Sequence, residues 1–110
     1  MKTSTALIVL FIAAVFEAGG DALMRGSIHA TEGTRKAMLF AAGALVLTAY
    51  GYLVNTPSWD FGRLLGIYVV FFFVVAQLIN WLAFHQTPTP AVLAGGALIV
   101  AGGAVMSFWQ

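Results

Sequence analysis

Four long apolar segments constrain this chain more than any other feature of its sequence. They run over about residues 5–24, 37–54, 64–84 and 91–109. Each is close to the ~20 residues that a helix needs to cross the hydrocarbon core of a bilayer. Backbone groups must be paired inside lipid, so such segments cross it as helices. The sequence predicts an all-α integral membrane protein, a four-helix bundle in which residues 1–110 form one membrane domain.

The small number of charges supports this class. Of 110 residues, five are Lys or Arg and four are Asp or Glu, and 61% are hydrophobic, whereas a typical soluble domain has roughly 25% charged residues. The net charge of +1 offers no electrostatic basis for binding nucleic acid, and there is no cysteine for a disulfide or thiolate site. The first apolar run continues through Glu17 without a cleavage site of small residues, so we interpret it as a span and not a signal peptide.

The loop charges are nearly balanced between the two sides of the membrane. Short connectors make the segments run up, down, up and down, with both termini on one side. Lys2 and Arg63 then lie on the terminal side, and Arg25, Arg35 and Lys36 lie on the other. The positive-inside rule needs an excess of Lys and Arg on one side. Two interpretations stay open: other features set a single orientation, or copies insert both ways in a dual topology.

Small residues are concentrated in the fourth segment. Gly95 and Gly102 lie seven residues apart, as do Gly96 and Gly103, so each pair lies on one face of a helix. Small residues let the backbones of membrane helices approach closely. This pattern suits packing within one four-helix unit or between two copies. A dimer is favoured on size, because one bundle of four helices barely encloses a cavity.

Three charged residues lie on one stripe of the first segment. Glu17, Asp21 and Arg25 are spaced by four and therefore face the same way. From a start near Thr5, Glu17 lies roughly 18 Å along the helix, just past the centre of a ~30 Å hydrocarbon core. Arg25 lies near the interface, where its side chain can reach water. An ionised acid at the depth of Glu17 costs several kcal/mol unless it is neutralised, paired or hydrated.

Glu17 is therefore the main candidate for a functional residue. Facing a cavity, its carboxyl group can take up a proton or a cation, each excluding the other, and this competition is the minimum mechanism of proton-coupled export. The structural alternative makes Glu17 a protonated hydrogen-bond donor within the bundle. Asp21 is either the ion-pair partner of Arg25 at the membrane edge or a second acid of the site.

The third segment supplies further polar candidates. Gln77 and Asn80 share a face, and their amides must point at another helix or a cavity. Hydrogen bonding between helices is the favoured interpretation of these two residues. Tyr68 either stacks on a cation or hydrogen-bonds Glu17. Three residues of the second segment line the cavity or belong to an interfacial aromatic belt: Thr48, Tyr50 and Tyr52.

Nothing in the sequence favours an enzyme. His29 and His85 lie in or near connectors without a partner at ligand spacing. We therefore expect neither a metal nor another cofactor, and no nucleophilic triad or phosphate loop is present. A membrane enzyme is the least favoured class, because Glu17 and Asp21 lie deep in the span without a histidine or metal ligand beside them.

Together, the four short spans, the balanced loop charges and the acid in "AAVFEAGGDALMR" resemble the small multidrug resistance family. Members of that family are proton-coupled exporters that work as antiparallel homodimers, in which the first-helix glutamates bind protons or a cationic substrate. The resemblance covers the whole chain in architecture and places Glu17 at the family's glutamate. It implies a multi-pass protein of the bacterial inner membrane, with the glycine-rich fourth helix as the dimerisation helix.

The third segment departs from that family. The family's G-x-A-Y-x-x-W pattern aligns with "FGRLLGIY" so that Leu65 takes the place of the tyrosine and Tyr68 that of the tryptophan. "FGR" before an aromatic-bearing span is similar instead to the YnfA-like family, a sister group. Asp21 is not expected in the multidrug or guanidinium exporters. The resemblance thus supports the fold and the role of Glu17 more strongly than it supports the identity of the substrate.

The resulting prediction is a proton-coupled secondary exporter of small organic cations. Its substrate- and proton-binding residues are Glu17, Tyr68, Asp21 and Gln77, and its partners are the lipid bilayer, a second antiparallel copy, protons and the cation. Two alternatives remain: a membrane accessory or structural subunit without transport, and half of an obligate heterodimeric transporter.

Overall fold

The computed structural model describes residues 2–109, and within them the fold consists of four helices and no strand. These are α1 (Thr3–His29), α2 (Gly33–Val54), α3 (Phe61–Phe84) and α4 (Pro90–Phe108). Each is long and apolar enough to cross a membrane. The predicted all-α class with four membrane-spanning helices is confirmed.

The helices extend beyond the apolar segments that predicted them. α1 continues to His29 and α2 begins at Gly33, so most of the polar connector expected between the first two segments is helical. Residues with polar side chains can remain helical beyond the hydrocarbon core, because water solvates their side chains there. α4 begins at Pro90, which we expected in the connector. Proline suits the first helical position, where its missing N–H has no partner to lose.

Polar side chains accept hydrogen bonds at the starts of three helices. Glu32 accepts from the backbone N–H groups of Thr34 (2.9 Å) and Arg35 (3.0 Å) at the start of α2. Asp60 and Thr89 do the same for α3 and α4. Such caps satisfy N–H groups that have no partner within the helix. The backbone N–H of Thr34, followed by that of Arg35, lowers the pKa of Glu32 below its usual 4.5.

Two cationic side chains donate hydrogen bonds to backbone carbonyl groups at the C-terminal ends of helices. The Lys36 ammonium donates to the carbonyl oxygens of Ser27 (2.9 Å) and Ile28 (3.0 Å) at the end of α1. The Arg63 guanidinium donates to Met106 O (3.1 Å) and to the next carbonyl (3.3 Å) at the end of α4. Cations there satisfy free carbonyls and favour the negative end of the helix dipole. Lys36 and Arg63 thus each link two helices.

The four helices form an open row in the order α2, α1, α3, α4. α1 packs against α2 and α3, and within residues 2–109 α4 packs against α3 alone. The molecule is accordingly flat, with principal extents of 51 × 34 × 19 Å. Its buried cluster comes from α1, α2 and α3, and α1 contributes Leu10, Ala13, Ala14 and Ala18. α1 is therefore the helix around which the site can be assembled.

The two glycine pairs of α4 lie on different faces. A Cβ added at Gly96 would lie 2.5 Å from the ring of Phe73 on α3, and one at Gly103 would also collide with an α3 side chain. A Cβ at Gly95 or Gly102 would meet nothing within 4 Å. One pair therefore serves packing within the chain, as one interpretation expected, and the other faces open space.

Candidate functional site

Glu17 and Tyr68 meet at the centre of the packed helices. The Tyr68 hydroxyl donates a hydrogen bond of 2.9 Å to the Glu17 carboxylate. Tyr68 is buried, with 4% of its surface exposed, and Glu17 is partly buried. Glu17 lies roughly 21 Å from the start of α1, at a rise of 1.5 Å per residue, which is just past the middle of this 27-residue helix. Of the two arrangements left open for Tyr68, the structure has the hydrogen bond.

Aromatic rings complete the surroundings of this pair. The ring of Tyr50 on α2 lies 5.8 Å from that of Tyr68, and Phe72 lies 6.4 Å from it, both between centroids. Tyr50 is therefore the α2 residue that joins the site. The other two candidates of α2 do not join: Thr48 donates to the carbonyl of Ala44 (2.8 Å), and Tyr52 is 79% exposed. The sequence of α2 indicated these three residues as candidates, but it could not predict which of them contacts the site.

The chemistry of this site is that of one acid beside aromatic rings. A carboxylate has about four lone-pair positions, and the Tyr68 hydroxyl occupies one of them. The face of Tyr50, which is only partly buried, is the kind of surface that attracts cations. Within residues 2–109, no three His, Cys, Asp or Glu side chains cluster as metal ligands would.

A separate cavity of about 390 Å³ lies between α1 and α3, towards the ends of both helices. Five polar residues line it: Asp21, Arg25, Gln77, Asn80 and Gln86. Glu17 and Tyr68 are not among its lining residues. The four predicted site residues therefore divide into two groups, Glu17 with Tyr68 and Asp21 with Gln77, about one helical turn apart along α1.

The ion pair considered for Asp21 and Arg25 is not formed. No ion pair within 4 Å involves Asp21 in the part of the chain that the structure describes. The Arg25 guanidinium instead lies 5.7 Å from the centroid of the Phe84 ring at the end of α3. Attraction between the guanidinium and the aromatic face explains why Arg25 lies towards Phe84 and not towards Asp21. Asp21 is left as an exposed acid at the cavity wall.

A left-handed turn at His85, after α3, places Gln86 at the cavity, a residue that was not predicted from the sequence. His85 has φ 56°, a conformation that commonly ends helices and is more often taken by glycine. The turn lets the Gln86 N–H donate to the carbonyl of Asn80 (3.1 Å) and places Gln86 at the cavity. The connector sequence gave no pattern from which this could be predicted.

The fold and these two polar groups define a multi-pass membrane protein whose acid-bearing helix packs between two others. The chain is 28% identical over 111 residues to a UPF0060 membrane protein of Herpetosiphon aurantiacus, an alignment that covers 99% of this chain and 98% of that protein. It is thus a distant full-length relative of a membrane protein. No family profile matches the sequence. No solved structure matches it.

Proposed function

We propose that this protein is a secondary active transporter of the bacterial inner membrane that exchanges protons for a small organic cation at Glu17. The observation that carries the proposal is the hydrogen bond of 2.9 Å between Glu17 and Tyr68 near the middle of α1. An acid at that depth is costly and is expected to face a polar pathway. UPF0060 is the YnfA family, which is related to the small multidrug resistance proteins, and this relation supports a transport role.

The exchange follows from competition for one carboxyl group. With a proton bound, Glu17 is neutral and keeps its contact with Tyr68. With the proton released, the carboxylate binds a cation, and the ring of Tyr50, which is only partly buried, offers it an aromatic face. Proton and cation cannot occupy the group together, so movement of one is tied to countermovement of the other.

A second copy in antiparallel orientation completes the proposed transporter. Only α2 and α3 pack against the helix that carries Glu17, in a molecule 19 Å across its shortest dimension, so one copy cannot enclose a substrate from all sides. The open face of α4 at Gly95 and Gly102 is suited to close approach by another helix. Two symmetry-related copies can then alternate access by exchanging conformations, as transporters built from inverted repeats do.

Proteoliposomes test the proposal directly. Purified protein is reconstituted with a pH-sensitive dye inside, and outward gradients of tetramethylammonium, methylguanidinium or tetraphenylphosphonium are imposed. We expect at least one cation to drive proton flux that Glu17→Gln abolishes, because the amide cannot release a proton. Glu32→Gln, an acid change at the start of α2, should leave the flux in place. Flux that persists in Glu17→Gln, or no flux with any cation, contradicts the proposal and favours an accessory subunit or a heterodimer half.

A further inference from the structure

The cavity between α1 and α3 contains one side chain of each charge. Asp21 and Arg25 come from α1, while Gln77, Asn80 and Gln86 contribute neutral amides from α3 and the turn after it. The lining therefore has no net formal charge but has two charged ends, and it differs from the Glu17 site, where the acid accepts a hydrogen bond from the Tyr68 hydroxyl.

The two charges do not neutralise each other. The Arg25 guanidinium is drawn to the ring of Phe84, 5.7 Å from its centroid, and Asp21 forms no ion pair within 4 Å among residues 2–109. Two charges that line one cavity without pairing with each other are each stabilised by a partner of opposite sign. A ligand that brings both signs supplies both partners.

The dimensions of the cavity suit a small ligand. Its volume of about 390 Å³ falls within the roughly 300–1,000 Å³ of small-molecule pockets. Asp21 and Arg25 are four residues apart, which separates their backbone positions by roughly 6 Å along α1. Phe72 and Ile79 add apolar surface to the wall, against which a short methylene chain can pack.

We propose that this cavity is a binding site for a small zwitterionic solute. An ammonium group of the solute binds the Asp21 carboxylate and the amide oxygens of α3, and a carboxylate of the solute binds the Arg25 guanidinium. Arg can hold a carboxylate through two parallel hydrogen bonds. The site is independent of proton exchange at Glu17 and stands or falls separately from the proposed function.

Binding of matched ligands to the full-length protein tests the assignment. Isothermal titration in lipid nanodiscs compares 5-aminopentanoate with pentylamine, which lacks the carboxylate, and with pentanoate, which lacks the ammonium group. All three have the same carbon chain, so differences report the charges. We expect 5-aminopentanoate to bind at least tenfold more tightly than either singly charged compound.

Variants then locate the site. Asp21→Asn and Arg25→Gln should each weaken binding of 5-aminopentanoate at least tenfold, because each removes one of the two charged partners. Arg35→Gln removes the same charge from an exposed position on the same side of the membrane and should leave binding within twofold. Ala22→Leu keeps both charges and fills the cavity with an apolar side chain suited to a membrane helix, so it should abolish binding. Circular dichroism and gel filtration establish that each variant is folded.

The outcomes separate this site from the Glu17 site. Binding of 5-aminopentanoate that persists in Glu17→Gln supports a second site, whether or not cation-driven proton flux is found. Equal affinity for pentylamine and 5-aminopentanoate would overturn the assignment, since the cavity would then recognise only a cation. Unchanged binding in folded Asp21→Asn and Ala22→Leu would overturn it as well.

Discussion

At the level of single residues, Glu17 and Arg25 lie on one face of α1 and contact different parts of α3, Tyr68 near its middle and Phe84 at its end. Glu17 stood out because its depth can be read from the first segment alone, and an acid at that depth is costly unless a neighbour or water compensates for it. Tyr68 was named with two alternative contacts, since its distance from Glu17 depends on how α1 and α3 are placed. The contact between Arg25 and Phe84 could not be predicted, because it depends on the relative rotation of the same two helices.

The hydroxyl of Tyr68 should matter to the function proposed for Glu17. We expect Tyr68→Phe to reduce cation-driven proton flux at least tenfold, because a hydrogen bond to a charged group contributes about 1.5–3 kcal/mol, while the ring that packs in the core is retained. Tyr52→Phe removes a hydroxyl from an exposed residue of α2 and should change the flux less than twofold. Stopped-flow measurement of lumenal pH gives both rates. Equal rates for Tyr68→Phe and the unmodified protein would show that the hydrogen bond is not used.

At the level of helices, the apolar segments predicted the number and order of spans, but they placed all four starts too late and the end of α1 too early. Composition identifies the part of a helix that lies in hydrocarbon, and α1 continues for another turn beyond Arg25 to His29. The start of α3 is fixed by a cap, since the Asp60 carboxylate accepts a hydrogen bond of 3.1 Å from the backbone N–H of Arg63. Which glycine pair of α4 faces α3 was not readable, since both pairs have the same spacing.

The two glycine pairs of α4 offer a matched test of packing. Gly96→Leu places a side chain against Phe73 on α3 and should lower stability by roughly 1–3 kcal/mol, the usual cost of overpacking. Gly95→Leu adds the same atoms where nothing lies within 4 Å and should leave the fold of one copy intact. Thermal unfolding in detergent compares the two variants.

The same variants examine the proposed second copy. If another copy packs on the open face of α4, Gly95→Leu should reduce crosslinking between copies in liposomes without lowering the unfolding temperature. Destabilisation of one copy by Gly95→Leu, or none by Gly96→Leu, would contradict the assignment of the two faces.

At the level of the whole molecule, the flat row of helices leaves much apolar surface outside the buried cluster. Leu45 on α2 and Leu98 on α4 are 73% and 75% exposed, which suits contact with lipid or with another membrane helix. The sequence predicted from the short connectors that the helices pack side by side, and α1 packs against α2 and α3 against α4. That α4 would contact α3 alone could not be predicted, because segment length and composition do not specify which helices are neighbours.

Orientation in the membrane follows from the whole chain and can be measured directly. If copies insert both ways, fusions of a periplasm-active and a cytoplasm-active reporter to the C-terminus should both give activity. Adding two lysines near Lys2 should shift nearly all copies to one orientation, because a small bias then decides the topology. Activity from only one reporter in the unmodified protein would show a single orientation. That result would exclude an antiparallel dimer of two identical copies.

The hydrogen bonds of Lys36 and Arg63 determine which charges such orientation studies can alter. These two residues hold the ends of α1 and α4 on opposite sides of the membrane. Removing either one changes the charge balance and releases a helix end in the same step. An orientation that shifts in such a variant therefore has two causes that cannot be separated. Lys2 and Arg35 are both exposed. Charges can be added or removed at these two positions while Lys36 and Arg63 keep their hydrogen bonds to the helix ends.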